Sequence, residues 1–547
     1  MKVAIERLLA AGIACSLLAG CTKVGTSPGG GGERHAYTQP HVLRFSSAED
    51  IVGLNPLTVT QAVVDYMAQM TMAWLVRTDT NSEPTVPELI TEIPTLANGG
   101  VSKDGKTITW HLRKGVTWSD GVEFTADDVV FSTAQVKNPK NNVVSQDGWE
   151  LIDKVDEPDK YTVVYHLRKP YSSYLVTFFS TASANPAIMP KHILQAYDSL
   201  NNVPYNSLPI GIGPFKYQSW KRGDSVTMVP NPTYWRGVPK LQKVVFKIIP
   251  DRNTVLEQMR THELDLWMPV SPHFVPQLKA ISGVQVLLNP SYYFDHMDFN
   301  MERPVMKDPA VREALRYATD RAALNDKVRN GLYIIQESVV PPASKFHEDL
   351  PLVRFDLAKA NEILDAAGWV RGADGIRAKN GRRLSLELAS STGSPDTDTE
   401  LAMMGGWWKQ IGADFVVKRY LAAMMFAPAQ SGGIMYSGKF DIVFFAWGTD
   451  PNMDLTNLYS CDRIPPKGQN DPRYCNAAVT KKLAEAQASY DPAVRTADIK
   501  FIQEQIYKDV PTIVLAARKE TYAYNTDLKN WHPNAVSPFD DMLLVDI

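Results

Sequence analysis

The chain lacks an excess charge of either sign, a membrane-length apolar run beyond its N-terminus and any complete catalytic motif. Its 57 Lys and Arg against 60 Asp and Glu leave a formal net charge of −3, which gives no electrostatic reason to expect nucleic acid or an anionic membrane surface as partner. No run of apolar residues after residue 20 is long enough to cross a bilayer. Neither a Gly-x-Ser-x-Gly elbow nor a His-Glu-x-x-His pair occurs, and the ten histidines are scattered. Gly433 to Lys439 spells most of a P-loop, but Phe440 stands where Ser or Thr would hold Mg²⁺, and a strand, not a helix, follows. Gly211-Ile212-Gly213 is likewise an incomplete dinucleotide loop, with Lys216 in place of the third glycine. Asp127-Asp128 and Asp540-Asp541 are adjacent pairs that point apart in strand or helix. The expectation is therefore a protein that binds, without enzymatic activity, cofactor or metal.

What is present begins with size. At 547 residues the chain exceeds one ordinary hydrophobic core, so at least two lobes are expected. Twelve Trp and 22 Tyr supply both core and the lining of a ligand cleft. Lys2 and Arg7 precede a thirteen-residue apolar run, Leu8 to Gly20, of signal-peptide length. It ends in Leu18-Ala19-Gly20-Cys21, which resembles a bacterial lipobox. In such signals Cys21 is acylated and the chain is cut before it, giving a signal peptide over 1–20 and a lipid-anchored, Gly- and Ser-rich linker over 21–39. Cys461 and Cys475 then remain outside the cytoplasm, where disulfides persist. A metal site is the weaker alternative, since no histidine neighbours them.

Strand and helix patterns are mixed throughout. Thr107 to Arg113 and Tyr161 to Leu167 alternate apolar and polar residues, as half-buried strands do. They share a His-Leu-Arg-Lys echo at His111 and His166, read as two edges of one antiparallel sheet. Val244 to Ile249 and Asp441 to Ala446 suit buried strands. Asp308-Pro309 starts a helical stripe running to Gly331. Asp356 caps a second stripe ended by Gly368, and Leu401, Met404, Trp408 and Ile411 form a third.

Several landmarks in order resemble the extracytoplasmic peptide- and nickel-binding proteins of ABC importers, the oligopeptide/dipeptide-binding family 5. They are Lys103 to Thr107, Thr117-Trp118-Ser119-Asp120-Gly121, Phe124 to Val129, Gly211 to Phe215, Asn231 to Trp235, Asp308 to Arg321, Ala358 to Gly368 and Cys461 to Asn476. The resemblance implies a two-lobed α/β periplasmic-binding-protein fold. The first lobe would take residues 40–288, with an extra subdomain over about 81–205, and a return over 522–547. The second lobe would take 289–521. Asn289 to Asn300 and Arg518 to Asn525 are the expected crossovers. It also implies a peptide ligand, permease subunits with cytoplasmic ATPases as partners, and a monomer.

In peptide-binding members a Trp-x-x-Asp segment pairs its carboxylate with the ligand's α-ammonium. Here that segment is Trp447-Gly448-Thr449-Asp450. Asp450 is expected to take the ammonium, Trp447 to wall a side-chain pocket, and backbone groups of Gly448 and Thr449 to bond the ligand. Dipeptide-binding members fix the ligand carboxylate with an arginine near the stretch that is here Ser390 to Pro395, which has none. That departure points to longer peptides. The alternatives are a nickel chelate, an oligosaccharide or an opine on the same scaffold, a degenerate receptor or envelope chaperone built on it, or a lipid-anchored hydrolase.

Overall fold

A computed structural model describes residues 34–59, 61–143, 146–182 and 186–547. The expected leader, Cys21 and most of the linker lie outside the described residues. The linker's last part is not free. The Asp527 carboxylate accepts hydrogen bonds from the His35 backbone N–H (2.8 Å) and the Thr38 hydroxyl (2.6 Å), and Tyr37 stacks on His262. Residues 35–38, expected within the linker, are therefore held by contacts with Asp527 and His262.

A ten-stranded mixed sheet runs through the molecule in the order Asp414–Tyr420, Ser385–Ser391, Ile442–Gly448, Val284–Phe299, Thr512–Asn525, Leu266–Trp267, Val42–Ser46, Lys243–Lys247, Ser225–Pro230 and Phe215–Lys221. Its two central members are long and antiparallel to each other, and both run from one half into the other. Both contain the expected crossovers. Their ladder is broken by register shifts between Pro290 and Phe294 and between Asp295 and His296. Such bulges bend a strand and re-aim its side chains.

Parallel pairing flanks the centre on both sides: Val42–Ser46 with Lys243–Lys247, and Ser385–Ser391 with Ile442–Gly448. These strands are rich in Val, Leu, Ile and Phe because helices cover them. One core gathers Phe45, Val64, Phe246 and Phe539 on the first half. Another gathers Leu315, Leu364, Leu388, Trp408 and Ile442 on the second.

Local chemistry sets the helices. Asp308 caps Pro309–Tyr317 by accepting from the Ala310 N–H, and Pro309 suits the first turn, where its missing N–H is not needed. The expected single helix to Gly331 is in fact two. Thr319 turns its hydroxyl back to the Leu315 carbonyl, and Asp320 caps a new helix, Arg321–Arg329, by accepting from the Ala323 N–H. A stripe of apolar spacing cannot report such a break, because both helices bury the same face.

A smaller unit packs on the first half. Thr107–His111, Thr162–Leu167 and Ile152–Asp159 form a three-stranded antiparallel sheet. Only Thr107–His111 of the two echo strands is an edge. Thr162–Leu167 is central, because Ile152–Asp159 pairs with its other side. Thr125 and Asp128 make a reciprocal capping box at the start of Ala126–Lys137. Among the described residues no helix is long and apolar enough to cross a membrane. Cys461 and Cys475 form a disulfide, with Cα atoms 4.5 Å apart.

Candidate functional site

Where the two halves face each other, beside the central strands, the structure holds three adjoining cavities of about 410, 400 and 340 Å³. Trp447, Gly448 and Asp450 line both smaller ones, and Glu520 joins the smallest to the largest. The segment singled out in the sequence thus sits at the junction of the cleft. It lies there because Ile442–Gly448 is a buried strand whose last residue is the Cα partner of Tyr293 on a central strand.

Each member of the segment has a distinct setting. Trp447 is half-buried against Phe445, their ring centroids 5.2 Å apart. Gly448 lies directly under Tyr293. Thr449 donates both its backbone N–H (3.1 Å) and its hydroxyl (2.8 Å) to the Tyr292 carbonyl. Its N–H is therefore already used, which removes one of the expected ligand contacts.

Asp450 opens a turn, its Oδ1 accepting from the N–H groups of Asn452 (2.8 Å) and Met453 (3.0 Å). Its Oδ2 has no hydrogen-bond partner among the described residues. Arg495, whose charge also acts on Asp450, donates Nη2 to the Asn452 carbonyl and side chain, while its buried Nε has no hydrogen-bond partner among the described residues. Burial, and then the neighbouring Asp454, pushes the Asp450 carboxyl up to about 6, against the two turn amides and Arg495. A half-buried carboxylate with one unpaired oxygen is chemically suited to a cation.

The 410 Å³ cavity carries charges the sequence did not announce. Arg518 donates Nε (2.8 Å) and Nη2 (2.6 Å) to Asp295 Oδ1. Arg329 reaches Asp295 Oδ2 at 3.2 Å and Glu400 Oε1 at 2.7 Å, while its buried Nη1 has no hydrogen-bond partner among the described residues. Glu400 is pushed up to about 7 by burial, with Arg329 opposing and Asp295 adding. With Glu400 protonated, the group of four bears one net positive charge. Ser390, Ser391 and Ser394 line the same cavity. The Ser390–Pro395 stretch supplies no cation itself, but two guanidinium groups from distant elements stand across from it. The absence of arginine there is thus no ground for a ligand whose carboxylate meets no fixed charge.

Asp65 and Tyr66 on the helix Ala62–Thr71, Tyr293, and Glu520 with Tyr522 complete the smallest cavity. The crossover residues had a signal, since a strand joining two lobes must line the gap between them. Asp65 and Arg329 had none, being ordinary helix charges in the sequence.

A profile of the bacterial extracellular solute-binding proteins, family 5 (middle region), matches residues 86–466. The chain is 26% identical over 497 residues to the oligopeptide-binding protein AppA of Bacillus subtilis, covering 88% of this chain and 87% of that one. It is 27% identical over 447 residues to the glutathione-binding protein GsiB of Salmonella typhimurium, covering 81% and 84%. The solved structure of NikZ from Campylobacter jejuni in complex with Ni(L-His) superposes with a TM-score of 0.75 at 25% identity, covering 91% and 97%. The profile match takes in most of the chain, and the cleft lies where a two-lobed binding protein would hold its cargo. The chain belongs to the bacterial extracellular solute-binding proteins of family 5, and is a two-lobed α/β solute-binding protein rather than an enzyme.

Proposed function

We propose that this protein is the peptide receptor of an ABC importer, capturing peptides longer than two residues and presenting them to membrane permease subunits. The observation that carries the reading is Asp450, a carboxylate half-buried between the lobes with an oxygen left unpaired. An ammonium taken from water into a closed cleft needs a fixed opposite charge, or its burial costs several kcal/mol. Asp450 supplies that charge, Trp447 walls the neighbouring pocket, and the Gly448 and Thr449 carbonyls are the backbone groups left for the ligand.

The guanidinium pair supports the same reading from the other end. Asp295, which holds Arg329 and Arg518, is the register partner of Ala446, four residues before Asp450. At about 3.3 Å per residue that interval is on the order of 13 Å. A peptide of roughly three or four residues in extended form spans it with both termini paired. AppA and GsiB are named for oligopeptide and glutathione binding, in keeping with a ligand of this class.

The remainder follows from the sequence: Cys21 carries the lipid that tethers the receptor, which works as a monomer with lobes 40–288 plus 522–547 and 289–521. Closure about the two central strands would then report the loaded state to the importer. Calorimetry with peptides of two to eight residues tests the reading. Binding strongest at three to four residues, weakened roughly 2–5 kcal/mol by Asp450→Ala, is the expected result. Unchanged affinity in that variant refutes the assignment. Radiolabelled fatty acid incorporated into the wild type but not into Cys21→Ala tests the anchor.

A further inference from the structure

The smallest cavity is lined by five carboxylates, Asp65, Asp147, Asp450, Asp454 and Glu520, and by no Lys, Arg or His among the described residues. Three of the five are engaged. Asp450 holds its turn, Asp454 accepts from Gln487 Nε2 at 2.9 Å, and Asp147 accepts from Asn457 Nδ2 at 2.9 Å. The other two stand apart. The Asp65 carboxylate makes no hydrogen bond or ion pair with any described residue, and the Glu520 carboxylate accepts only from the Ser291 hydroxyl among them, at 3.4 Å.

These two come from separate elements, the helix Ala62–Thr71 and the central strand Thr512–Asn525, and they face a common aromatic wall. Asp65, Glu520 and the Tyr66 and Tyr293 phenols line the same cavity; both hydroxyls are pushed up first by burial, then by Glu520 and less by Asp65, with Arg518 opposing at Tyr293. Burial also raises Asp65, to about 7, as expected of a carboxylate withdrawn from water with nothing to neutralise it. One α-ammonium on Asp450 leaves Asp65 without a counter-charge, while Glu520 stays raised by burial against the opposing Arg518 and Ser291. Tyrosine rings beside carboxylates favour a cation twice over, by charge and by the ring quadrupole.

Resting on the peptide reading, we infer that this chamber selects for basic peptides, receiving a lysine or arginine side chain near the ligand's ammonium end between Asp65 and Glu520. The receptor then discriminates among peptides by charge, while backbone contacts stay indifferent to sequence.

Calorimetry with Lys-Ala-Ala, Ala-Ala-Ala and Glu-Ala-Ala at neutral pH tests this. Lys-Ala-Ala should bind the wild type about tenfold or more tightly than Ala-Ala-Ala, with Glu-Ala-Ala weakest. In Asp65→Asn, and separately in Glu520→Gln, the ratio between the first two peptides should shrink towards one. Two variants guard against either one failing to fold. Equal binding of Lys-Ala-Ala and Ala-Ala-Ala by the wild type overturns the inference and leaves the peptide reading standing. So does a lysine preference that survives in the double variant. Failure of all three peptides to bind removes both together.

Discussion

Gly448 lies beneath the ring of Tyr293, so closely that a Cβ at position 448 would stand 2.6 Å from ring atoms Cε1 and Cζ. The two residues are also partners in the ladder between Ile442–Gly448 and Val284–Phe299. The absence of a side chain at 448 is thus what lets the Tyr293 ring pack closely on the strand end and wall the cleft. Gly448→Ala should tip that ring into the cavity. Because Tyr293 is nearly half exposed, the fold has room to adjust. Thermal stability should fall little, by about 1 kcal/mol, while tripeptide affinity falls about tenfold or more. A calorimetric titration beside a melting curve separates the two effects. Loss of stability without loss of binding would show that Tyr293 is merely packed there.

Binding should depend on pH through Asp450. Its carboxyl is raised to about 6 in the free protein, by burial first and by Asp454 second. A bound ammonium favours the charged form, so the complex holds Asp450 deprotonated at a lower pH than the free protein does. Binding therefore expels a proton below about pH 6, and affinity should weaken as pH falls from 7 to 5. The ligand's own α-amine, with a pKa of about 8, weakens binding only on the alkaline side. Titrations of Ala-Ala-Ala in buffers of different ionisation enthalpy measure the proton directly. For a lysine peptide Asp65, raised to about 7, adds a second inflection of the same sign. Asp450→Asn should flatten the first.

How far the sequence reveals this molecule depends on whether a feature is local. The capped helices at Asp308 and Asp356, the strand Thr107–His111 and the segment Trp447 to Asp450 are each written in a few neighbouring residues. All are found where their pattern puts them. The split at Thr319–Asp320 shows the limit of periodicity, since two helices sharing a buried face keep one stripe. The cleft charges are harder still. Asp65 looks like a first-turn acid and Arg329 like a last-turn base, both ordinary complements to a helix dipole. Only the folding of distant elements onto one gap gives them a role. The aromatic residues Tyr293 and Tyr522 were foreseeable in kind, because crossover strands must border the cleft, but not in position.

The disulfide should matter to the site as well as to the fold. Cys461 and Cys475 close a short loop whose residue Gln469 lines the smallest cavity. Gln469 is held there by hydrogen bonds linking its Oε1 to Asn457 and its Nε2 to the Tyr436 hydroxyl. Closing a loop of this size is worth about 3 kcal/mol in the chain-entropy model. The double variant Cys461→Ser and Cys475→Ser should lose roughly that much in denaturant unfolding. It should also lose affinity for tripeptides, because Asn457 and Gln469 lose their fixed backing. Unchanged affinity at reduced stability would place the loop outside the binding surface.

Tyr490 reaches from the end of the second half's helices to the small three-stranded unit on the first. Its hydroxyl donates to the carbonyls of Gly105 (3.0 Å) and Tyr171 (3.2 Å), and its ring meets Tyr174 at 5.8 Å between centroids. Beside it the Ser172 N–H donates to the Gln487 carbonyl at 2.8 Å, and Asn452 donates to the Ser173 hydroxyl. These contacts tie the two halves together beside the 400 Å³ cavity, which Tyr171 and Gln487 also line, so they act against opening. Gly105 has a positive φ of 67°, and a Cβ there would strike the Tyr490 ring at 2.6 Å. The turn glycine thus also makes room for the clasp. Tyr490→Ala should release it. Small-angle scattering of the ligand-free variant should show a larger radius of gyration than the wild type, and saturating peptide should restore the compact value. Because a population shift towards the open form lowers apparent affinity in proportion to the closed fraction lost, peptide binding should weaken mainly through faster dissociation. A variant as compact as the wild type without ligand would mean that the two central strands alone set the closed geometry.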